Sequence, residues 1–242
     1  MGRSLHRLVY DFSWDTRCRN LDVRQALSVF GKNATILDAG CGEYGLSAFM
    51  PSASITGIDI MEPAVVDPRL NYTKGSILDL PFEPLSFDIA ASVDVFEHLP
   101  ADLRPEAVRQ LVRIAKKAVV IAFPCGEFAR GIDEDFEREL TSRGLPQPEW
   151  LEDHLRDRYP ETAEMIAELE SSAAASGRGV KTRIIYSEPA WVSRSLRWAA
   201  ARSKYVYLLG NVLSGVLFPL MPRPSVKDAY RAIIVAEFEG GN

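Results

Sequence analysis

The sequence predicts an α/β domain built on a mostly parallel sheet, and three observations carry that expectation. From residue 35 to residue 123, short apolar runs alternate with polar or helix-patterned stretches, the texture of βαβ units. A glycine-rich turn follows the first of these runs directly. Two further β-patterned runs, 182–186 and 229–238, bracket a strongly apolar insertion near the end of the chain. With 242 residues, 47% of them hydrophobic, the chain is long enough for one large domain around one core.

Taken in order, residues 1–34 form an N-terminal helical segment, whose amphipathic run 21–30 ends at Gly31, a residue suited to closing a helix. Strands are expected at 35–38, 54–59, 70–74, 87–92 and 118–123. Helical stretches are expected at 46–50, 63–66 and 105–114, the last with Ala107, Leu111 and Ile114 at helical spacing. Beyond Pro124 the chain becomes charged, helix-prone and poor in β-branched residues, so 127–180 reads as a helical insertion rather than a second domain. A second insertion, 187–227, starts helical and turns apolar. The expected plan is a single domain with a core at 35–126, two cap insertions and a last strand within 228–238.

Composition narrows the function classes. A formal net charge of −5 with scattered Lys and Arg gives no electrostatic footprint for nucleic acid. A small-molecule or hydrophobic acceptor is expected in preference to DNA, with a transfer RNA left open. Cys18, Cys41 and Cys125 are widely spaced and odd in number, which argues against a disulfide framework or a structural zinc site. The first fourteen residues have no apolar h-region, and His6 stands where a myristoylation signal wants Ser or Thr. The expected location is the cytoplasm.

The glycine loop, Gly40-Cys41-Gly42-Glu43-Tyr44-Gly45, follows an apolar strand, and Asp59 ends the next strand 19 residues beyond Gly40. Glycines let the chain turn sharply and let a cofactor lie against bare backbone, and the Asp59 carboxylate can accept hydrogen bonds from both hydroxyls of a ribose. An adenosine-type ligand follows, but a nicotinamide-dependent oxidoreductase remains open on these grounds. Asp38, just before the glycines, discriminates. A pyrophosphate there would meet an adjacent carboxylate, whereas the ammonium of a methionine moiety would gain from it.

At this point the sequence resembles the class I methyltransferases that use S-adenosylmethionine. Ile36-Leu37-Asp38-Ala39-Gly40-Cys41-Gly42 is similar to their first motif, and Asp59 to their ribose-binding acid. Gly75-Ser76-Ile77-Leu78-Asp79-Leu80-Pro81-Phe82 resembles their adenine-side motif, with Ser76 where the family usually has Asp. Ser86-Phe87-Asp88-Ile89 and Asp94-Val95-Phe96-Glu97-His98-Leu99 resemble their fourth-strand motif. The resemblance covers roughly residues 35–125. It implies a three-layer Rossmann-like fold whose seven-stranded, mostly parallel sheet has an antiparallel last strand beside the fifth. It implies methyl transfer by in-line displacement, with S-adenosylmethionine as cofactor held by Asp38, Gly40, Cys41, Gly42, Asp59, Ile60, Ser76, Ile77 and Asp94. A non-catalytic, cofactor-binding partner subunit is the remaining alternative.

In an open α/β sheet the acceptor meets the cofactor beyond the C-terminal strand ends, where Asp94, Glu97, His98, Pro124 and Cys125 are expected. A base is needed only for a weakly acidic hydroxyl or a protonated amine. His98 is the candidate, with a structural role before Pro100 as the plainer account. Asp94, Glu97 and His98 also resemble a cation-binding pattern of some quinone-precursor O-methyltransferases, but no metal is assigned. His154 reads as a solvated helical residue or as part of a lid. Arg17 is a candidate for a cofactor carboxylate, with packing of Phe12 and Trp14 on the core as the plainer account of that stretch.

The segment 205–222 has 18 residues without a charge. It is short for a membrane span, and Gly210, Asn211, Ser214, Gly215 and Pro219 interrupt it. As a helix it places Val206, Leu209, Leu213 and Leu220 on one face and Tyr207, Asn211, Ser214 and Phe218 on the other. Burial in a lid or a homodimer is the first expectation. A greasy acceptor or peripheral contact with a membrane is the second.

Overall fold

A computed structural model of the chain describes residues 13–43, 45–62 and 69–239. The expected helical stretch 63–66 and the segment 10–12 lie outside the described residues. Seven strands form one sheet: β1 (Thr35–Ala39), β2 (Ser54–Asp59), β3 (Asn71–Lys74), β4 (Phe87–Val93), β5 (Ala115–Pro124), β6 (Val180–Pro189) and β7 (Ala229–Phe238). Their order is β3-β2-β1-β4-β5-β7-β6, parallel through β5 and antiparallel from β5 to β7 and from β7 to β6. The last strand lies antiparallel beside the fifth, as the resemblance implies. The reversal of strand order at β1 and β4 opens a crevice at their C-terminal ends, the usual ligand position in an open α/β sheet.

Both faces of the sheet are covered, which explains its near-continuous apolar strands. Alternation sends Leu37, Val119, Ile121 and Ile234 to one face and Ile36, Ile89, Val120 and Ile233 to the other. Against the first face pack Ala107, Val108 and Leu111 of helix α2 (Arg104–Ile114) and Met165, Leu169 and Ala173 of helix α5 (Thr162–Ala175). Against the second pack Val23, Ala26 and Leu27 of helix α1 (Trp14–Leu27). Stretch 127–180 therefore divides, its last helix covering the sheet and the rest forming the cap.

The cap comprises α3 (Gly126–Ser142), α4 (Glu149–Arg156), α6 (Ala190–Ala200) and α7 (Lys204–Leu217). Helix α1 starts seven residues before the expected 21 because tertiary contacts hold its first turn. Trp14 and Cys18 are buried with Val192, Leu196 and Phe218 of the second insertion. The Trp14 backbone N–H donates to Asn211 Oδ1 at 3.0 Å, its indole N–H donates to Ser193 Oγ at 3.2 Å, and its ring meets Phe218 edge-on at 5.4 Å. Trp14 thus joins the N-terminal helix to the cap. Replacing Trp14 with Ala is expected to cost about 3–5 kcal/mol, read from urea unfolding, through lost packing and unpaired partners.

Candidate active site

The glycine loop leaves β1 with Gly40 N–H donating to the carbonyl of Ile58 in β2 at 2.7 Å. Gly40 has φ +84°, and a Cβ there would collide with Val95, so neither a side chain nor an ordinary backbone angle fits. Gly45 has φ +51°, and a Cβ there would collide with the Asp38 carboxylate. These constraints bend the loop around Asp38. The buried Asp38 accepts the Leu46 N–H at 2.7 Å. Burial raises its pKa to about 6; the Leu46 N–H works against that rise and nearby Asp59 adds to it. Asp59 closes the other side, accepting the Gly42 N–H and the Met61 N–H, each at 2.9 Å.

Together these residues line a cavity of about 340 Å³ that brings Asp38, Gly40, Cys41, Gly42, Asp59 and Asp94 together. Three residues linked to the cofactor by motif stand outside its lining. Ile60 is exposed, Ile77 is packed into the core, and Ser76 Oγ accepts the Leu78 N–H at 3.1 Å within its own turn. Arg19 and Asn20 of α1 also line the cavity. No local signal in the sequence points to them, because their position follows from how α1 crosses the sheet end.

Asp94 has φ +55° just after β4, and its backbone N–H donates to the carbonyl of Ala122 at 3.0 Å. That left-handed turn aims its carboxylate between two guanidinium groups, Arg19 at 3.1 Å and the buried Arg231 of β7. Arg231 also meets Glu188 at 3.2 Å. Asp94 and Arg19 belong equally to a second cavity, of about 530 Å³, lined by Trp14, Glu97, His98, Trp150, His154 and Tyr207 among others. The two cavities thus meet at the Arg19–Asp94 pair. Pro124 lines the second cavity. Cys125 does not, and burial raises its thiol to about 12.

His98 and His154 stand edge to face, ring centroids 4.7 Å apart. Burial first, then the neighbouring His154, lowers the pKa of His98 to about 4, so its imidazole is neutral at physiological pH. His154 is buried rather than solvated, with Nδ1 3.4 Å from Asp133. Glu97, His98 and His154 offer ligand atoms within 4.8 Å of one another, the one such grouping among the described residues. It differs from the trio of the sequence pattern because Asp94 is turned to Arg19 and Arg231.

Asp133 of α3 organises the cavity wall. It is fully buried and accepts from the hydroxyls of Tyr159 at 2.5 Å and Tyr230 at 2.6 Å, while Arg197 of α6 sits 2.7 Å from its other oxygen. Burial alone works to raise its pKa, but Arg197, His154, Tyr159 and Tyr230 outweigh it and the net shift is downward. A carboxylate with a lowered folded pKa contributes stability above its unfolded value, lost as pH falls through the folded value. Asp133→Asn is expected to cost about 3–5 kcal/mol at pH 7 and to flatten the fall in stability below about pH 4, both read from urea unfolding at a series of pH values.

Comparisons with known proteins agree with this architecture. Residues 37–123 match the family model described as a methyltransferase domain. The 27-O-demethylrifamycin SV methyltransferase of Amycolatopsis mediterranei is 25% identical over 194 residues, 70% of this chain and 64% of that protein. A Mycobacterium ulcerans protein named for methylation of phthiotriol and phenolphthiotriol dimycocerosates is 28% identical over 148 residues, 54% of each chain. The chain spans between about half and just under two-thirds of the curated relatives it matches. A methyltransferase from an antibiotic biosynthesis pathway of Anabaena variabilis superposes with a TM-score of 0.57 at 18% identity, covering 90% of this chain and 98% of that one, and shares the fold.

Proposed function

We propose that the chain, whose residues 37–123 match a family model described as a methyltransferase domain and which has a Rossmann-like fold, transfers a methyl group from S-adenosylmethionine to the hydroxyl of a bulky, largely apolar acceptor. One observation carries the choice of cofactor. The glycine-loop cavity is lined by four acids, Asp38, Glu43, Asp59 and Asp94, against one base, Arg19. A pyrophosphate would face repulsion from those carboxylates, whereas a ligand with a sulfonium, an ammonium and one carboxylate matches that balance of charge.

The residues present fit such a ligand. Gly42 has φ +54° and only open space where a Cβ would point, leaving bare backbone at the cavity. Asp59 spends one lone pair of each oxygen on a backbone N–H and keeps the others for a pair of ribose hydroxyls. Asp38 in its ionised form suits the ammonium, and Arg19 the carboxylate. We assign Ile60, Ser76 and Ile77 to the adenine side on motif alone. When bound, the sulfonium supplies an activated methyl group whose bond to sulfur breaks as a bond to the acceptor oxygen forms.

The chain's own residues orient the acceptor and move its proton. The second cavity offers an apolar body the rings of Trp14, Phe136, Trp150 and Tyr207, beside the charged groups of Asp94, Glu97, Glu188 and Arg231. His98, neutral at physiological pH, accepts the hydroxyl proton. The curated relatives named for a demethylated rifamycin and for dimycocerosates support an acceptor of that kind. An acidic phenol suits His98 best, since a base with a pKa near 4 is weak.

Calorimetry tests the cofactor. S-adenosylmethionine and S-adenosylhomocysteine are expected to bind and NADH is not; absence of binding by the first two at millimolar concentration sinks the reading. Asp59→Ala is expected to weaken binding by about 1–3 kcal/mol. Affinity is expected to rise with pH through about 6 as Asp38 ionises, and Asp38→Asn to remove that dependence. With a labelled methyl donor and a phenolic acceptor identified from extracts, His98→Gln is expected to lower kcat by about 10²–10⁴-fold with a smaller change in KM. Cofactor binding without transfer to any acceptor would instead favour a non-catalytic subunit.

A further inference from the structure

The α6–α7 hairpin exposes an apolar face that the catalytic reading does not use. Of the twenty exposed large hydrophobic side chains among the described residues, twelve fall between residues 191 and 226. Leu209 is 71% exposed, Leu220 82% and Trp191 66%. Helical spacing separates two stripes on α7 and the short 3-10 turn (Phe218–Leu220) that follows it. Tyr205, Leu209, Leu213, Val216 and Leu220 point to solvent, while Asn211, Gly215 and Phe218 turn inward. The expected burial of this segment within the domain is therefore met on one stripe only, because Trp14 and the cap occupy a single side of the helix.

Charge accompanies that face. Residues 189–227 contain six Lys and Arg and no Asp or Glu, in a chain whose formal net charge is −5. Arg197 is drawn inward to Asp133, and Arg223 pairs with Asp22 while staying exposed. Arg194 and Arg202 reach Asp135 and Glu139 on α3, and Lys204 and Lys227 are exposed. The Arg202 guanidinium lies 4.1 Å from the ring centre of Trp198, and the Lys204 ammonium 5.4 Å from that of Tyr205. Aromatic rings beside cations, with aliphatic side chains next to them, match the headgroup level of a membrane.

We infer that the outer face of the α6–α7 hairpin rests on the surface of an anionic lipid bilayer. A second copy of the chain is the less fitting occupant, since a two-fold contact through this face sets the same basic residues against one another. Crossing the bilayer is not the geometry either. At 14 residues, α7 extends about 21 Å against a hydrocarbon core of about 30 Å, and no helix among the described residues is long and apolar enough to span a membrane. The two helices approach closely at Gly210, where a Cβ would stand 3.2 Å from Leu196. A cavity of about 550 Å³, lined largely by Trp191, Leu196, Trp198 and Val206, opens between its helices. Tyr207 and Asn211 of the same α7 line the acceptor cavity, so a hairpin lying on lipid brings that cavity to the bilayer surface.

Vesicle flotation tests the inference without methyl donor or acceptor, and so independently of the proposed activity. The full chain is expected to float with vesicles of equal parts phosphatidylcholine and phosphatidylglycerol, and weakly with phosphatidylcholine alone. Raised salt is expected to release it. Leu209→Asp combined with Leu213→Asp is expected to lower vesicle affinity by more than about tenfold, with circular dichroism and binding of S-adenosylhomocysteine unchanged. Lys204→Glu combined with Lys227→Glu, which leaves the apolar stripe intact, is expected to lower affinity for the anionic vesicles alone. Failure to float with either vesicle overturns the inference. So does a dimer in light scattering that the two Asp substitutions dissolve while vesicles are ignored, since the face then belongs to a second copy.

Discussion

Asp133 is a carboxylate with no exposure to water, and four groups from four parts of the chain converge on it: His154 from α4, Tyr159 from the turn before α5, Arg197 from α6 and Tyr230 from β7. A buried charge is tolerated only where donors replace the lost water. Three cap elements must therefore stand around α3 at the sheet end at the same time. The second cavity is the space left beside that arrangement, and Tyr230, His154 and Arg197 line it directly. The polar network thus sets the shape of a site whose remaining walls combine aromatic side chains with further paired ions.

A second ionic arrangement connects this cavity to the glycine loop. Arg231 sits between Glu188 and Asp94, and Asp94 in turn holds Arg19 of α1. The N-terminal helix, the end of β4 and the last two strands are thereby tied at the point where the two cavities meet. Asp94 takes up a left-handed backbone conformation there, which Asp tolerates better than most residues, and such conformations gather at functional positions. The charge balance on either side differs in consequence. The glycine-loop side is dominated by carboxylates, whereas the second cavity combines imidazoles, phenols and indoles with paired ions.

Much of the sheet was legible because strand patterning is local. The runs at 54–59 and 229–238 have the same bounds in the structure, and the others shift by at most a few residues as neighbouring strands extend their pairing. Loop positions such as Gly40, Asp38 and Asp59 were legible because the loop's tight turn demands glycine and its acids stand at the ends of two adjacent strands, both visible over a short stretch. Helix α1 was foreseen only in part, since the contacts that begin it at Trp14 come from Ser193, Asn211 and Phe218, nearly 200 residues away. The solvated reading of His154 failed for the same reason, because its environment is made by Asp133, Trp150 and Tyr159 once the cap has closed.

By itself the sequence determined the α/β class, a mostly parallel core and an acid-lined glycine loop, since each is written in short-range periodicity or in residue types that a turn requires; the antiparallel last strand came only with the family resemblance. Tertiary structure alone decided that Arg19 lines the glycine-loop cavity, that His98 meets His154, and that Asp133 gathers four donors. It also decided which stripe of the apolar segment faces water. The physical reason is common to all of these: burial and pairing depend on which distant elements arrive together, and neither charge nor hydrophobicity read along one segment carries that information.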